Sequence, residues 1–242
     1  MRWRTKFGRC IYVSPSGYKV YQNFFYRWLT LGSNALQTVL WRPNPTKPVL
    51  YYIPVLTLMA CKFPGPCCVL GLGGASVPRV LKSENPKQDI VIVDNSEEVI
   101  DIAKRFFMID SISGLTIVHQ NASNYVRECS AQYKHFIVDL YDANNFPAEC
   151  NNEEFFIHIQ NRLTEDGFLE INLANYKEQW PIYQLIKKHF KNTLVIPIKK
   201  SANMVIIATA HGSHDFFINQ IESSHDFKNI VWMDSWGFVA KY

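Results

Sequence analysis

The chain has 242 residues, 48% hydrophobic and 19% charged, enough to bury a full core and too apolar for wholesale disorder. Its length holds one large α/β domain with a small appendage, or two small domains. With 25 basic and 21 acidic residues the net charge is +4, too mild and too scattered to argue for a nucleic-acid partner.

The chain opens on Met1-Arg2-Trp3-Arg4-Thr5-Lys6, which reads as a solvated basic terminus without the apolar run of a secretory signal. Next, Ile11-Tyr12-Val13 and Tyr18-Lys19-Val20-Tyr21 flank Ser14-Pro15-Ser16-Gly17, a hairpin signal. Five aromatics follow closely: Tyr21, Phe24, Phe25, Tyr26 and Trp28. They can pack on their own domain or form the interface of a homodimer. Pro43, Pro45 and Pro48 stop regular structure, so a linker is expected there. The expected division is therefore a β-rich aromatic segment over 1–47 and a catalytic domain over 48–242. The apolar stretch Val49–Cys61 contains Pro54 and falls short of the ~20 residues a membrane helix needs, so a buried helix is expected and a membrane is not.

An apolar run, Cys67-Cys68-Val69-Leu70, then ends in a glycine-rich turn, Gly71-Leu72-Gly73-Gly74-Ala75-Ser76. A helix-compatible segment follows, and a second apolar run, Ile90 to Val93, ends in Asp94, 20 residues after Gly74. Strand, turn, helix, strand, acid is an order that suits a nucleoside. Glycines let the backbone approach the ligand, and the carboxylate can accept both ribose hydroxyls. The turn is G-x-G-G-A-S and not G-x-G-x-x-G, so a pyrophosphate cradle is the weaker reading. A nucleoside bearing a small cationic chain, as in S-adenosylmethionine and its relatives, fits without phosphates.

Beyond this unit, strands are expected at Leu115–Val118, Phe136–Asp139 and Gly167–Asn172. Helices are expected at Val77–Ser83, Glu97–Phe107, Ala122–Glu128, Glu153–Arg162 and Gln179–His189. Apolar strands separated by helices imply a parallel sheet covered on both faces. Leu194–Ile198 and Met204–Ala208 read as an antiparallel pair closing one edge, which brings the sheet to seven strands. The last 30 residues carry no readable signal. Six cysteines occur without a CxxC pair or zinc spacing, so reduced thiols, a cytoplasmic location and no metal are expected.

Ligands of such sheets bind outside the carboxyl ends of the strands. The Asn121 amide there can bond an adenine edge or cap the next helix. Asp139 and Asp142, three residues apart, can hold an ammonium ion and take its proton, which an amine nucleophile must lose. Asn172 and Asn175 follow the next strand and serve the same rim or a turn.

These residues resemble the spermidine synthase family, which shares the class I methyltransferase fold, over about residues 49 to 210. The family's GGGDGG turn resembles Gly71 to Ser76, and its ribose acid with the following helix resembles Asp94 to Ile100. Its adenine-contacting acid falls on Asn121. Its D-[ST]-x-D-P loop resembles Asp139-Leu140-Tyr141-Asp142-Ala143, followed by Phe146-Pro147-Ala148-Glu149. The resemblance implies Asp142 as base, Asp139 as amine contact, and Gly71, Gly73, Gly74, Asp94, Asn121 and Asp139 around the donor. Tyr51, Tyr52 and Tyr141 are matched to the acceptor side. There the family's Tyr precedes Gln or His and then Glu, where this chain has Ile53 and Pro54. Gly74 stands where the family's turn has an acid. The implied activity moves an aminopropyl group from decarboxylated S-adenosylmethionine to a polyamine such as putrescine, in a homodimer. Methyl transfer from intact S-adenosylmethionine, prompted by Gly74, and a non-catalytic nucleoside-binding role stay open at this point.

Overall fold

The computed structural model describes residues 5, 7–32, 36–141, 145–222 and 228–241. Four antiparallel strands, β1 (Arg9–Val13), β2 (Lys19–Gln22), β3 (Tyr26–Thr30) and β4 (Thr38–Trp41), form a sheet in that order. The first turn follows from its residues. Gly17 takes a φ of +81°, its N–H bonds the Ser14 carbonyl at 2.9 Å, and the Ser14 hydroxyl accepts from Tyr18 N at 3.1 Å. Trp28 points into the core with Tyr21 stacked on it, their ring centroids 5.6 Å apart. Trp28 is buried and Tyr21 half-buried, so this half of the aromatic group packs on its own sheet. Phe24 and Phe25 instead stay exposed.

The expected single helix over Val49–Cys61 is two short ones, α1 (Ile53–Leu56) and α2 (Leu58–Lys62). Thr57 divides them. Its hydroxyl donates to the Ile53 carbonyl at 2.9 Å, the same carbonyl that its backbone N–H reaches at 3.0 Å.

The larger sheet has nine strands in the order β12-β13-β10-β11-β9-β8-β5-β6-β7. They are β5 (Cys67–Leu70), β6 (Ile90–Asp94), β7 (Leu115–His119), β8 (Tyr133–Val138), β9 (Leu163–Leu173), β10 (Asn192–Pro197), β11 (Met204–Thr209), β12 (Lys228–Met233) and β13 (Gly237–Lys241). Strands β5 to β9 run parallel, and β11 is antiparallel to both neighbours. Helices α3 (Ser76–Glu84), α4 (Glu97–Phe107), α5 (Ala122–Glu128), α6 (Glu153–Arg162), α7 (Tyr176–His189) and α8 (His214–Glu222) complete the chain. Side chains of β5 divide as strand geometry dictates. Cys67 and Val69 enter one core cluster, Cys68 and Leu70 the other. None of the six cysteines is in a disulfide.

Two expectations are corrected. The sheet is wider than seven strands, and β10 with β11 does not close its edge. The supposedly silent tail forms α8, β12 and β13, and β13 pairs parallel with β10 through Leu194–Phe238 and Val195–Val239. Such pairing joins residues far apart in sequence, which local patterning cannot reveal.

The small sheet docks on α4. Val20, Leu29 and Leu40 pack on Ile102 and Phe107, and Ser16 Oγ donates to Glu98 Oε1 at 2.9 Å. The docking brings the start of β4 against the glycine-rich turn. That turn follows β5, whose neighbours β6 and β8 lie on opposite sides, so the crest of the sheet opens at this point.

Candidate active site

A cavity of about 280 Å³ lies across that crest. Its floor is the turn after β5. Gly71 has a φ of +99°, and a Cβ there would stand 2.3 Å from the Asp139 carbonyl oxygen, so no larger residue fits between the strands. Gly71 and Gly73 line the cavity, but Gly74 does not. Its N–H donates to Thr38 Oγ1 at 2.7 Å, and a Cβ would meet Thr38 Cγ2 at 2.5 Å and Phe107 Cδ1 at 2.9 Å. Gly74 thus faces β4 and α4, where Gly71 and Gly73 face the cavity. The same packing explains the missing acid, because β4 and α4 occupy its space.

Asp94 ends β6 and lines the cavity. Its Oδ2 accepts from Leu72 N at 2.8 Å and its Oδ1 from Ser96 N at 2.9 Å. Burial raises its carboxyl above the ordinary value, and these backbone bonds pull it partway back. An ionised carboxylate has about four acceptor positions, so both oxygens keep capacity toward a ligand.

Asn121 caps α5. Its Oδ1 accepts from Ser123 N at 2.9 Å and Asn124 N at 3.3 Å, and its Nδ2 donates to Glu149 Oε1 at 2.8 Å. The capping role is therefore realised while the residue still lines the cavity. Glu149, which lines it too, was not among the expected site residues.

Asp139 follows β8 directly. Its Oδ1 accepts from Asn172 Nδ2 at 2.8 Å and its Oδ2 from the Tyr52 hydroxyl at 2.9 Å. Burial raises its carboxyl, and the bonds from Asn172 and Tyr52 oppose that rise. Burial, then the nearby Asp139 charge, push the Tyr52 hydroxyl well up. Asn172 is itself held, its Oδ1 accepting from Asn203 Nδ2 at 2.8 Å. The Tyr141 hydroxyl accepts from the backbone of Ala174 and Asn175 and fixes the loop after β9.

A second cavity of about 460 Å³ adjoins the first, and Gln37, Tyr52, Asp139 and Tyr141 line both. Tyr51 lines the second cavity, as do Asn172, Lys200 and Asn203. Among the described residues Asp139 is the one carboxylate on its wall. Asp142 lies outside the described residues. Asn175 caps α7 through its side-chain oxygen and lines neither cavity.

Sequence reasoning missed Tyr18, Gln37 and Thr38, which reach the first cavity from the small sheet. They carry no charge and belong to a segment read as an appendage, so no local signal marked them. Among the described residues, no group of three or more His, Cys, Asp or Glu is placed to hold a metal ion, and no helix is long and apolar enough to cross a membrane.

The fold is Rossmann-like, with the first cavity at the crest of the parallel sheet. The spermine/spermidine synthase domain model matches residues 55–229, and the chain belongs to that family. The polyamine aminopropyltransferase of Neisseria meningitidis serogroup A is 23% identical over 206 residues, covering 83% of this chain and 78% of that relative. A probable spermidine synthase from Corynebacterium glutamicum superposes with a TM-score of 0.72 at 13% identity, covering 86% of this chain and 82% of its own. Human methyltransferase-like protein 13, solved with SAH, superposes with a TM-score of 0.59 at 18% identity, covering 77% of this chain and 94% of its own.

Proposed function

We propose that this chain moves an aminopropyl group from decarboxylated S-adenosylmethionine to an amine of a small polyamine such as putrescine. The observation that carries the reading is Asp139 standing on the shared wall of two cavities. One cavity suits a nucleoside along Gly71, Gly73 and Asp94. The other suits the acceptor beside Tyr51, Tyr52 and Tyr141. Family membership and the aminopropyltransferase name of the meningococcal relative support aminopropyl over methyl transfer.

In this mechanism Asp94 accepts bonds from the ribose hydroxyls. The sulfonium arm runs toward Asp139, and the acceptor amine enters from the second cavity. Asp139 holds its ammonium through the ionised carboxylate, itself oriented by Tyr52 and Asn172. Asp142, three residues on in the sequence, takes the proton. The free amine lone pair then attacks the carbon next to sulfur. A C–N bond forms, the C–S bond breaks with its electron pair left on sulfur, and methylthioadenosine departs. The sulfonium is already a good leaving group, so positioning and electrostatics supply most of the rate. Reduced cysteines support a cytoplasmic setting, and the exposed Phe24 and Phe25 support a homodimer contact.

The test is chromatographic. Purified chain given decarboxylated S-adenosylmethionine and putrescine should release methylthioadenosine, and the release should fall roughly 10²-fold or more in Asp142→Asn. Unchanged release from that variant would remove Asp142 from the mechanism, and no release from the wild type would remove the reading.

A further inference from the structure

We propose that Ser201 and Asn203, in the turn between β10 and β11, are positioning residues that turn the Asn172 amide toward Asp139 and so keep that side chain a carboxylate. The inference adds a support behind Asp139 to the transfer reading above, on which its kinetic test rests.

Three hydrogen bonds run in one direction toward Asp139. The Ser201 hydroxyl donates to Asn203 Oδ1, Asn203 Nδ2 donates to Asn172 Oδ1 at 2.8 Å, and Asn172 Nδ2 donates to Asp139 Oδ1 at 2.8 Å. Ser201 starts the chain. Its oxygen already accepts from Asn203 N at 3.2 Å, which leaves its hydrogen for Asn203 Oδ1. The turn that presents Ser201 is itself tied down. Ile198 N donates to the Asn203 carbonyl at 2.9 Å, and the Tyr176 hydroxyl to the Ser201 carbonyl at 3.3 Å. Gln179 of α7 joins the turn to the end of β9, donating to the Ala202 carbonyl at 2.7 Å and the Leu173 carbonyl at 3.0 Å.

A side-chain amide can exchange the places of its oxygen and nitrogen, so such a chain has two polarities. In the observed one Asn172 offers an N–H to Asp139, which suits an ionised carboxylate, an acceptor only. In the reverse one Asn203 Oδ1 accepts from Asn172 Nδ2, and Asn172 Oδ1 faces Asp139. That oxygen repels a carboxylate and suits the protonated acid, which can donate to it. Asn172 is buried, so a mismatch there is costly. Reversal also takes Asn203 Oδ1 away from the Ser201 hydrogen. The hydroxyl therefore selects the polarity through two intervening amides.

The titratable groups around Asp139 are Tyr52, Tyr141, Tyr51 and Lys200, with Tyr18, Asp94 and Glu149 lining the first cavity. The variants that test the chain keep all of them. In Ser201→Ala the acidic limb of kcat should move to higher pH by about 0.5–1 pH unit, a roughly three- to tenfold loss on that limb that shrinks toward the high-pH plateau. Asn203→Ala should move it at least as far. Ser201→Thr keeps the hydroxyl and should return the limb to its wild-type position. A ¹³C NMR titration of the Asp139 carboxyl carbon should show the same displacements and needs no turnover. A limb and titration unmoved in both alanine variants, an equal displacement in Ser201→Thr, or a loss uniform across pH overturns the assignment and leaves the transfer reading intact. A wild-type chain without turnover removes that reading, and the NMR titration then decides the assignment alone, displaced in its favour or unmoved against it.

Discussion

In the proposed mechanism Asp139 carries the largest demand on a single residue, because its ionised form is the one that would hold the ammonium of the acceptor. Burial raises its carboxyl above the ordinary value, so the ionised fraction grows as pH rises through that higher value. The predicted kcat therefore climbs with pH along an acidic limb. Tyr52→Phe deletes a bond that favours the ionised form, so the limb should move to higher pH; a pH–rate profile in which it stays put would exclude the coupling. Asp139→Asn should lower turnover roughly 10²-fold and leave methylthioadenosine affinity nearly unchanged, separable by kinetics and calorimetry.

Lys200 makes the opposite demand. It lines the second cavity, where its positive charge would oppose the cationic acceptor of the proposed reaction. Lys200→Ser should lower the KM for putrescine a few-fold, with a larger effect at low salt, as expected for one like charge at a solvent-facing mouth. A KM independent of both residue and salt would show that the acceptor does not pass this lysine.

At the scale of elements, the contact between β4 and the glycine-rich turn is a tight fit. Gly74→Ala should cost about 1–3 kcal/mol by overpacking. Adding Thr38→Ser removes the methyl that lies 2.5 Å from the new Cβ and keeps the oxygen that accepts from residue 74, so denaturation should recover part of the loss. Absence of any recovery would put the strain elsewhere.

The pair joining β8 and β9 answers to pH. His135 Nδ1 lies 2.9 Å from Glu170 Oε1, with His135 Nε2 donating to the Phe63 carbonyl at 2.8 Å. Glu170 Oε2 is buried without a hydrogen-bond partner. Burial raises the Glu170 carboxyl despite the opposing effect of His135. The folded chain then keeps that proton to higher pH than the unfolded chain. The resulting stability is full below the unfolded value and fades as pH rises through the folded one. Glu170→Gln cannot ionise, so its melting temperature should gain on the wild type as pH rises from about 4 to 8. A difference independent of pH would contradict this.

Elements were legible where a cap or a period marked them. Asn121 was readable as a cap and does cap α5, whereas Ser96 and Asn152, which cap α4 and α6, were not read as such. The runs in β5 and β6 announced buried parallel strands. The break at Thr57 was invisible, because neither glycine nor proline stands at that position. Strands β12 and β13 were invisible because their register comes from β10.

Over the whole molecule, the cavity is built by two sheets and not by one. The parallel sheet supplies Gly71, Asp94, Asn121 and Asp139, all readable as residues ending strands. The small sheet supplies Tyr18, Gln37 and Thr38, and α1 is preceded by Tyr52; their arrival at the crest depends on the docking of Val20, Leu29 and Leu40 against α4. Half of the candidate site was thus written in local pattern, and the other half only in tertiary packing. The same packing leaves Asp139 between two cavities, the arrangement on which a two-substrate transfer depends.

Product mass tests that arrangement most directly. The chain is incubated with equal decarboxylated and intact S-adenosylmethionine and a panel of small amines, and the amine products are weighed by mass spectrometry. The expected result is an acceptor that gains one aminopropyl group while methylthioadenosine accumulates. An acceptor that gains a methyl group instead, or a panel that returns unmodified, would contradict it.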